Sequence, residues 1–250
     1  MGDAVDVTVV LPSKNEEETI GDCIIRAWGA IQGMNLEGEV IVADNSTDRT
    51  AEIARSLGAQ VITPLNPGYG SAYLEAFPHA RGSILAIADA DGTYNLSEIP
   101  RLLVPLIKGE AELVIGSRFK GSIIDGSMPV LHQYIGNPLF TLMINILFGT
   151  RISDSHSGMR AFSRGALQKM KLKGKGMEFA TEMIIEAALN GLTIKEVPIS
   201  YSPRKGKSKL HSFRDGWRHL WLIFQYRTFS FIVGGILVFL FLFASITFLF

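Results

Sequence analysis

The hydrophobic pattern of the first 120 residues repeats one pair: a short, largely apolar run, then a longer stretch with apolar residues at every third or fourth position. The runs at 7–11, 39–43, 60–63, 84–88 and 113–116 are bounded by turn residues, which predicts strands buried on both faces. Between them Ile20, Cys23, Ile24, Ala27, Trp28 and Ile31 share one helical face, as do Ala51, Ile53, Ala54 and Leu57, with Gly58 as a stop. Further helices are predicted from Asn66-Pro-Gly-Tyr-Gly70 to about residue 80 and over 96–107. Alternating strand and helix predicts an α/β fold, a doubly wound and mostly parallel sheet with right-handed crossovers. Ligands of such sheets bind beyond the strands' carboxyl ends, where Asn15, Glu16, Asp44, Asp89 and Asp91 all fall.

The pattern changes in the second half. Residues 138–148 are too apolar for a solvated helix, which leaves a core helix or one partly sunk in a bilayer interface. Residues 159–162 read as another strand. Glu178, Glu182 and Glu186 recur at helical spacing and predict a polar face, with Glu182 placed to partner a basic residue. Over 213–226, Trp217, Leu220, Trp221 and Phe224 share a face flanked by Arg214, Arg218 and Arg227, the pattern of an interfacial helix. Residues 231–250 carry no charge, and twenty residues at 1.5 Å each make roughly 30 Å of helix, enough to span a bilayer's hydrocarbon core. The expected organisation is a catalytic domain over 1–211, an interfacial helix over 212–228 and a transmembrane helix over 229–250, with further membrane helices to follow.

Charge sharpens this picture. Of the 24 basic and 24 acidic side chains, seven and one fall within 201–227, leaving 17 and 23 before that stretch, a net of −6. Positive charge just ahead of a span keeps that flank cytoplasmic, so the domain is expected on the cytoplasmic side of a cell or internal membrane, without a signal peptide before Val7. Cys23 is the single cysteine, on an apolar face, which excludes an internal disulfide framework and a cysteine zinc site. No nucleic-acid partner is expected.

The candidate chemistry centres on Asp89-Ala-Asp91, directly after the strand at 84–88 and before Gly92, which permits a tight turn. Two carboxylates one residue apart on an extended chain point the same way and repel unless a cation lies between them. A hard divalent ion, Mg²⁺ or Mn²⁺, arriving with substrate phosphates suits them, and an acidic turn without a ligand is the alternative. The first strand ends in Pro-Ser-Lys-Asn-Glu, not in the glycine-rich turn of a dinucleotide fold, and Gly68 and Gly70 fit a turn opening a helix better than a phosphate loop.

Pro12-Ser-Lys-Asn-Glu-Glu17, Val42-Ala-Asp-Asn-Ser-Thr-Asp48 and Asp89-Ala-Asp-Gly-Thr-Tyr94 resemble the nucleotide-sugar site of family 2 glycosyltransferases. Gly116-Ser-Arg-Phe119, Asp154-Ser-His-Ser-Gly-Met-Arg160, Glu196-Val-Pro-Ile-Ser-Tyr201 and Arg204-Lys-Gly-Lys-Ser-Lys-Leu210 narrow the likeness to the polyprenyl- and dolichyl-phosphate glucose and mannose synthases. The resemblance covers about residues 7–210. It implies a GT-A fold, a UDP- or GDP-hexose donor, a polyprenyl or dolichyl phosphate acceptor at a lipid bilayer, and an inverting transfer. By position it places Pro12, Lys14, Glu16, Val42 and Asp44 at the nucleoside, Asp89, Ala90 and Asp91 at the diphosphate, and a metal on Asp89 and Asp91. It also places Arg118, Arg204 and Lys209 at the acceptor phosphate, with Asp91, Arg118 and Asp154 as the catalytic set.

Thr93 stands where the mannose synthases carry a glutamine, and they place arginines near His132 and Gln133, where this chain has none. With the segment ending at Arg160, these departures favour UDP-glucose over GDP-mannose. Asp154 orients the acceptor or a basic partner, or serves as an ordinary cap; His156 reads as structural. Transfer to a hydroxyl acceptor would need a carboxylate base, for which Asp154 is the one loop candidate. A non-catalytic membrane scaffold that binds nucleotide sugars is the reading from another class.

Overall fold

The structure, a computed structural model, describes residues 5–205 and 216–227. The chain divides into two compact units, Met1–Leu210 and His211–Phe250. In the first, β1 (Val7–Ser13), β2 (Gly38–Asp44), β3 (Gln60–Ile62) and β4 (Ile84–Ile87) pair in parallel in the order β3-β2-β1-β4. The crossovers are α1 (Ile20–Gln32), α2 (Thr50–Ser56) and α3 (Tyr69–Ala76). Val7, Val9 and Val10 are fully buried because helices cover both faces of the sheet. The α1 residues at three- and four-residue spacing, Ile20, Cys23, Ile24, Ala27 and Ile31, enter the same core as Val40, Val42 and Leu103. Burial pushes the Cys23 thiol up to about 12, so it stays protonated.

The other half departs from the expected pattern at one strand. After α4 (Ile99–Ile107), β5 (Leu113–Ile123) runs seven residues beyond the expected end at Gly116. The helix α5 (Asn137–Phe148) follows, then β6 (Arg160–Ser163), which inserts between β4 and β5 antiparallel to both. After α6 (Arg164–Lys169) and α7 (Phe179–Leu189), β7 (Ile194–Tyr201) pairs in parallel with β5, completing the order β3-β2-β1-β4-β6-β5-β7. Six strands therefore run one way and one runs back. Because β6 is reversed, it begins opposite Ile87, the last residue of β4, and the loop before it reaches the same place as Asp89.

The stripe of acids expected as a polar face of α7 is turned onto the protein's own backbone. Glu182 and Glu186 are buried, and their carboxylates accept backbone amides: Lys173 and Gly174 on Glu182, Lys171 on Glu186. Glu178 accepts the Gly176 amide in the same way, at 2.8 Å. The three carboxylates thus fix the loop at 171–176 onto the helix instead of facing water.

α5 keeps Thr141 and Ile144 inside while Leu139, Leu142 and Ile146 are exposed, continuing a surface begun by Val130, Leu131, Tyr134 and Ile135. In the second unit, residues 216–227 are helical; Trp217, Leu220, Trp221 and Phe224 are exposed, and His219, Leu222 and Ile223 are buried. Among the described residues no helix is long and apolar enough to cross a membrane. The span expected at 229–250, the start of the interfacial helix and Lys209 lie outside those residues.

Candidate active site

The ends of β1 and β2 are tied together side chain to side chain. Their register sets Ser13 beside Asp44, and the Ser13 hydroxyl donates to Asp44 Oδ1 at 2.7 Å. Asp44, buried, also accepts the Ser46 hydroxyl and amide. Across the same gap the Asn15 amide donates to Ser46 Oγ at 2.7 Å, and Asn15 Oδ1 accepts the Thr47 amide at 2.9 Å. Asn15 adopts φ 53°, a left-handed conformation that asparagine tolerates better than most residues. Burial works against the charge of Asp48, but bonds from Thr50 and from the Glu17 amide more than offset it and hold the carboxyl below its ordinary value. Of the residues expected at the nucleoside, Lys14 is exposed, Pro12 and Glu16 are half-buried, and Val42 lies within the core.

Asp89 and Asp91 follow β4, with Ala90 buried between them. The Ala90 carbonyl accepts the Thr19 hydroxyl at 2.7 Å, and Gly92, at φ 79°, makes the turn. Thr93 does not project as a free hydroxyl: its Oγ and amide donate to Asp91 Oδ1 at 2.6 and 3.0 Å. The chain leaving β7 is stitched to this turn by the Ser202 amide on the Thr93 carbonyl at 2.8 Å, which delivers Arg204 to Asp91. Its Nε donates to Asp91 Oδ2 at 2.7 Å, and a second guanidinium nitrogen reaches the same oxygen. Burial opposes the Arg204 charge, while Asp91, then Glu16 and Asp89, reinforce it. Burial and the Asp91 charge push Asp89 up to about 7, against the downward pull of the Tyr69 hydroxyl, Arg204 and Arg118.

Arg118, on β5, sits 6 % exposed, and its fork closes on Asp154: Nε to Oδ2 at 2.7 Å, Nη2 to Oδ1 at 2.8 Å. The Arg118 amide takes the same carboxylate at 3.0 Å, and the guanidinium lies 5.0 Å from the Tyr201 ring centre. Burial opposes the Arg118 charge and the Asp154 carboxylate overcomes it, holding the guanidinium protonated. Of the readings open for Asp154, partner to a basic residue is the one its contacts match. Glu196 fixes the loop from beneath, accepting the Ser153 and Asp154 amides at 2.8 and 3.1 Å and pairing with Lys120.

Two residues that the sequence reasoning missed complete the wall around Asp89. Tyr69, at the start of α3, donates its hydroxyl to Asp89 Oδ1 at 2.8 Å. Arg160, fully buried at the start of β6, has no carboxylate partner among its hydrogen bonds; it donates to the carbonyls of Ser157, Ser155 and Ala180 and so braces the loop around Gly158. An arginine ending a loop motif and a tyrosine between two glycines were the available signals. Gly68 and Gly70 open α3 as a packing turn, with Gly70 so close to the Gly174 carbonyl that a Cβ there would lie 2.0 Å away. His156 is structural in its contacts, bonding Ser155 at 2.9 Å and stacking edge-on with Phe140.

Among the described residues no group of three or more His, Cys, Asp or Glu side chains converges on a cation position. Asp89 and Asp91 are a pair of hard oxygen donors. Such a pair suits an ion that brings further ligands with it, as Mg²⁺ or Mn²⁺ does with phosphate oxygens.

Residues 8–171 match the profile described as Glycosyl transferase family 2. The chain belongs to that family. Among relatives of this family 2 glycosyltransferase, the low-salt glycan biosynthesis hexosyltransferase Agl6 of Haloferax volcanii is 51 % identical over 217 residues, 87 % of this chain and 52 % of the relative. The chain thus spans about half of that protein. The dolichyl-phosphate hexose transferase of the same organism is 34 % identical over 212 residues, covering 84 % of this chain and 89 % of the relative. Glucosyl-3-phosphoglycerate synthase from Mycobacterium tuberculosis, solved with Mn²⁺, UDP and glucosyl-3-phosphoglycerate, superposes with a TM-score of 0.67 at 24 % identity. That match covers 86 % of this chain and 77 % of the synthase, and it shows a shared GT-A-like fold.

Proposed function

We propose that this chain is a membrane-bound inverting hexosyltransferase that moves a hexose from a nucleotide sugar, UDP-glucose by preference, to a polyprenyl or dolichyl phosphate. The observation that carries this reading is the junction of opposite charges at one sheet edge: Asp89 and Asp91 after β4, faced by Arg204 from the arm after β7. The relative named dolichyl-phosphate hexose transferase supports the acceptor class. The Mn²⁺ and UDP held by the structurally similar synthase support a divalent ion and a uridine donor.

In the reaction an oxygen of the lipid phosphate forms a bond to the anomeric carbon. The bond from that carbon to the donor's diphosphate oxygen breaks, and the nucleoside diphosphate leaves with the electron pair. A phosphate nucleophile is already anionic near neutral pH, so no strong base is required. A divalent ion on Asp89 and Asp91 would neutralise charge on the leaving diphosphate. The residues of the chain do the rest. Asp44, Ser13, Asn15 and Ser46 hold the β1 and β2 edges at fixed spacing, with Pro12, Lys14 and Glu16 at the nucleoside end and Val42, buried in the core, only supporting the strand beneath. Arg204, on release from Asp91, offers its planar fork to phosphate oxygens, with Lys209 five positions further along the sequence. Arg118, buried and closed on Asp154, braces the wall of the site beside Tyr201.

The lipid phosphate has to be met at a bilayer surface. The exposed apolar side of α5 and the aromatic face of residues 216–227 support that placement, with the domain on the cytoplasmic side and residues 229–250 as its anchor. Transfer to a hydroxyl acceptor is less well supported, because both oxygens of Asp154, the candidate base, already accept bonds from Arg118.

The deciding experiment incubates membranes containing the full chain with radiolabelled UDP-glucose or GDP-mannose and either dolichyl phosphate or dolichol. Label transferred from UDP-glucose to the phosphate alone, lost in Asp91→Ala and in excess chelator, is the expected result. Transfer to dolichol, or full activity in Asp91→Ala, would overturn the reading.

A further inference from the structure

The mechanism above takes the orientation of Asp89 as given, and the wall that sets it has no assigned role. Tyr69 opens α3 in a turn that can move very little. A Cβ on Gly68 would lie 2.2 Å from the Lys175 carbonyl, the Ser71 amide donates to that same carbonyl at 3.1 Å, and Gly70 abuts Gly174. The loop at 171–176 is itself fixed by the α7 carboxylates. The Tyr69 ring lies edge-on to Tyr73, with centres 5.1 Å apart, and to Phe179 at 6.4 Å. Ring and backbone are therefore both held, and the hydroxyl ends 2.8 Å from Asp89 Oδ1.

Gly158 closes the other side. The β4–β6 register sets Ile87 opposite Arg160, and two residues further along this antiparallel pair Asp89 comes opposite Gly158. A Cβ on Gly158 would lie 2.8 and 3.0 Å from the two Asp89 oxygens. The Gly158 amide is anchored on the Tyr94 hydroxyl at 2.7 Å, and Arg160 braces the carbonyl just before it. One carboxylate oxygen is thus gripped by a hydroxyl, and the carboxylate as a whole is confined by a backbone that admits no side chain.

We propose that Tyr69 is a positioning residue for the donor site, holding Asp89 in a single orientation between its hydroxyl and Gly158, so that the carboxylate meets the cation–diphosphate unit of the nucleotide sugar without rearranging. This rests on the nucleotide-sugar reading above. Partners that orient metal-binding carboxylates are worth about 10- to 100-fold in affinity.

The test is calorimetric titration of UDP and of GDP, each with Mn²⁺, into the full chain in detergent, for the wild type, Tyr69→Phe and Tyr73→Phe. Tyr73 is the comparison from the same cluster; its hydroxyl shares a long hydrogen bond of 3.5 Å with that of Tyr69 and makes none to Asp89. Tyr69→Phe is expected to weaken nucleotide binding about 10- to 100-fold with a thermal midpoint matching that of Tyr73→Phe, which should bind as the wild type does. Equal binding by Tyr69→Phe and wild type overturns the proposal, and so does equal weakening in Tyr73→Phe, which would mark a role spread over the tyrosine cluster and not the Tyr69–Asp89 contact. Should Tyr69→Phe not fold, Gly158→Ala presses on Asp89 from the opposite side; unchanged binding there also overturns it. A wild-type chain that binds neither nucleotide removes the UDP- or GDP-hexose donor reading on which this rests, a result distinct from the others.

Discussion

At the scale of single residues, the two arginines nearest the site are paired before any substrate arrives, Arg118 with Asp154 and Arg204 with Asp91. Arg118 and Asp154 are buried together, so removing one strands the other in a medium that solvates ions poorly. Asp154→Ala should lower stability by about 3–5 kcal/mol in denaturant melts, and Arg118→Met with Asp154→Leu should recover much of that loss. Asp89 makes the opposite prediction for pH. Its folded pKa, about 7, lies above the unfolded value of an aspartate, so its contribution to stability is full in acid and lost as pH rises through 7. In chelator, the thermal midpoint of Asp89→Asn should therefore gain on that of the wild type between pH 5 and pH 8; a constant difference would show that the carboxyl is not strained. These pairings were only partly legible in the sequence. Asp89 and Asp91 stood out by spacing, whereas nothing local to Tyr69 announced a bond to a carboxylate twenty positions away.

Among the elements, β1 to β4 and their helices were readable because each strand is a short apolar run and each helix shows one apolar face. The reversal of β6 was not, since Arg160-Ala-Phe-Ser163 carries no signal of direction and pairs through residues distant in the chain. The α7 glutamates misled for a related reason: helical spacing reveals a stripe of acids but not whether backbone amides or water will cover it. α5 was the reverse case, its composition marking it as unsuited to water before its exposed side was known. Replacing Leu142 and Ile146 by Glu should reduce binding to liposomes in a flotation assay while leaving the melting temperature within about 0.5 kcal/mol of wild type in stability terms, as exposed substitutions do. Loss of folding instead would mean that this side is core.

For the whole molecule, the mixed sheet explains how sequence-distant motifs come to one edge. The β1, β2 and β4 ends supply acids, the loop before β6 supplies Asp154 and Gly158, and the arm after β7 returns Arg204 across more than a hundred residues to Asp91. That convergence is the part of the site that motif order alone could suggest and only topology could deliver. The late arrival of β6 also matters while the protein is being made. β5 has only β6 and β7 as neighbours, and β4 has only β1 until residue 160 emerges from the ribosome. A nascent chain that has just finished α5 therefore presents one apolar strand with no partner and another with a bare edge, a form prone to wrong pairing. Its safe passage depends on how quickly the fifteen further residues to Ser163 are added and emerge, or on a chaperone that shields those edges meanwhile.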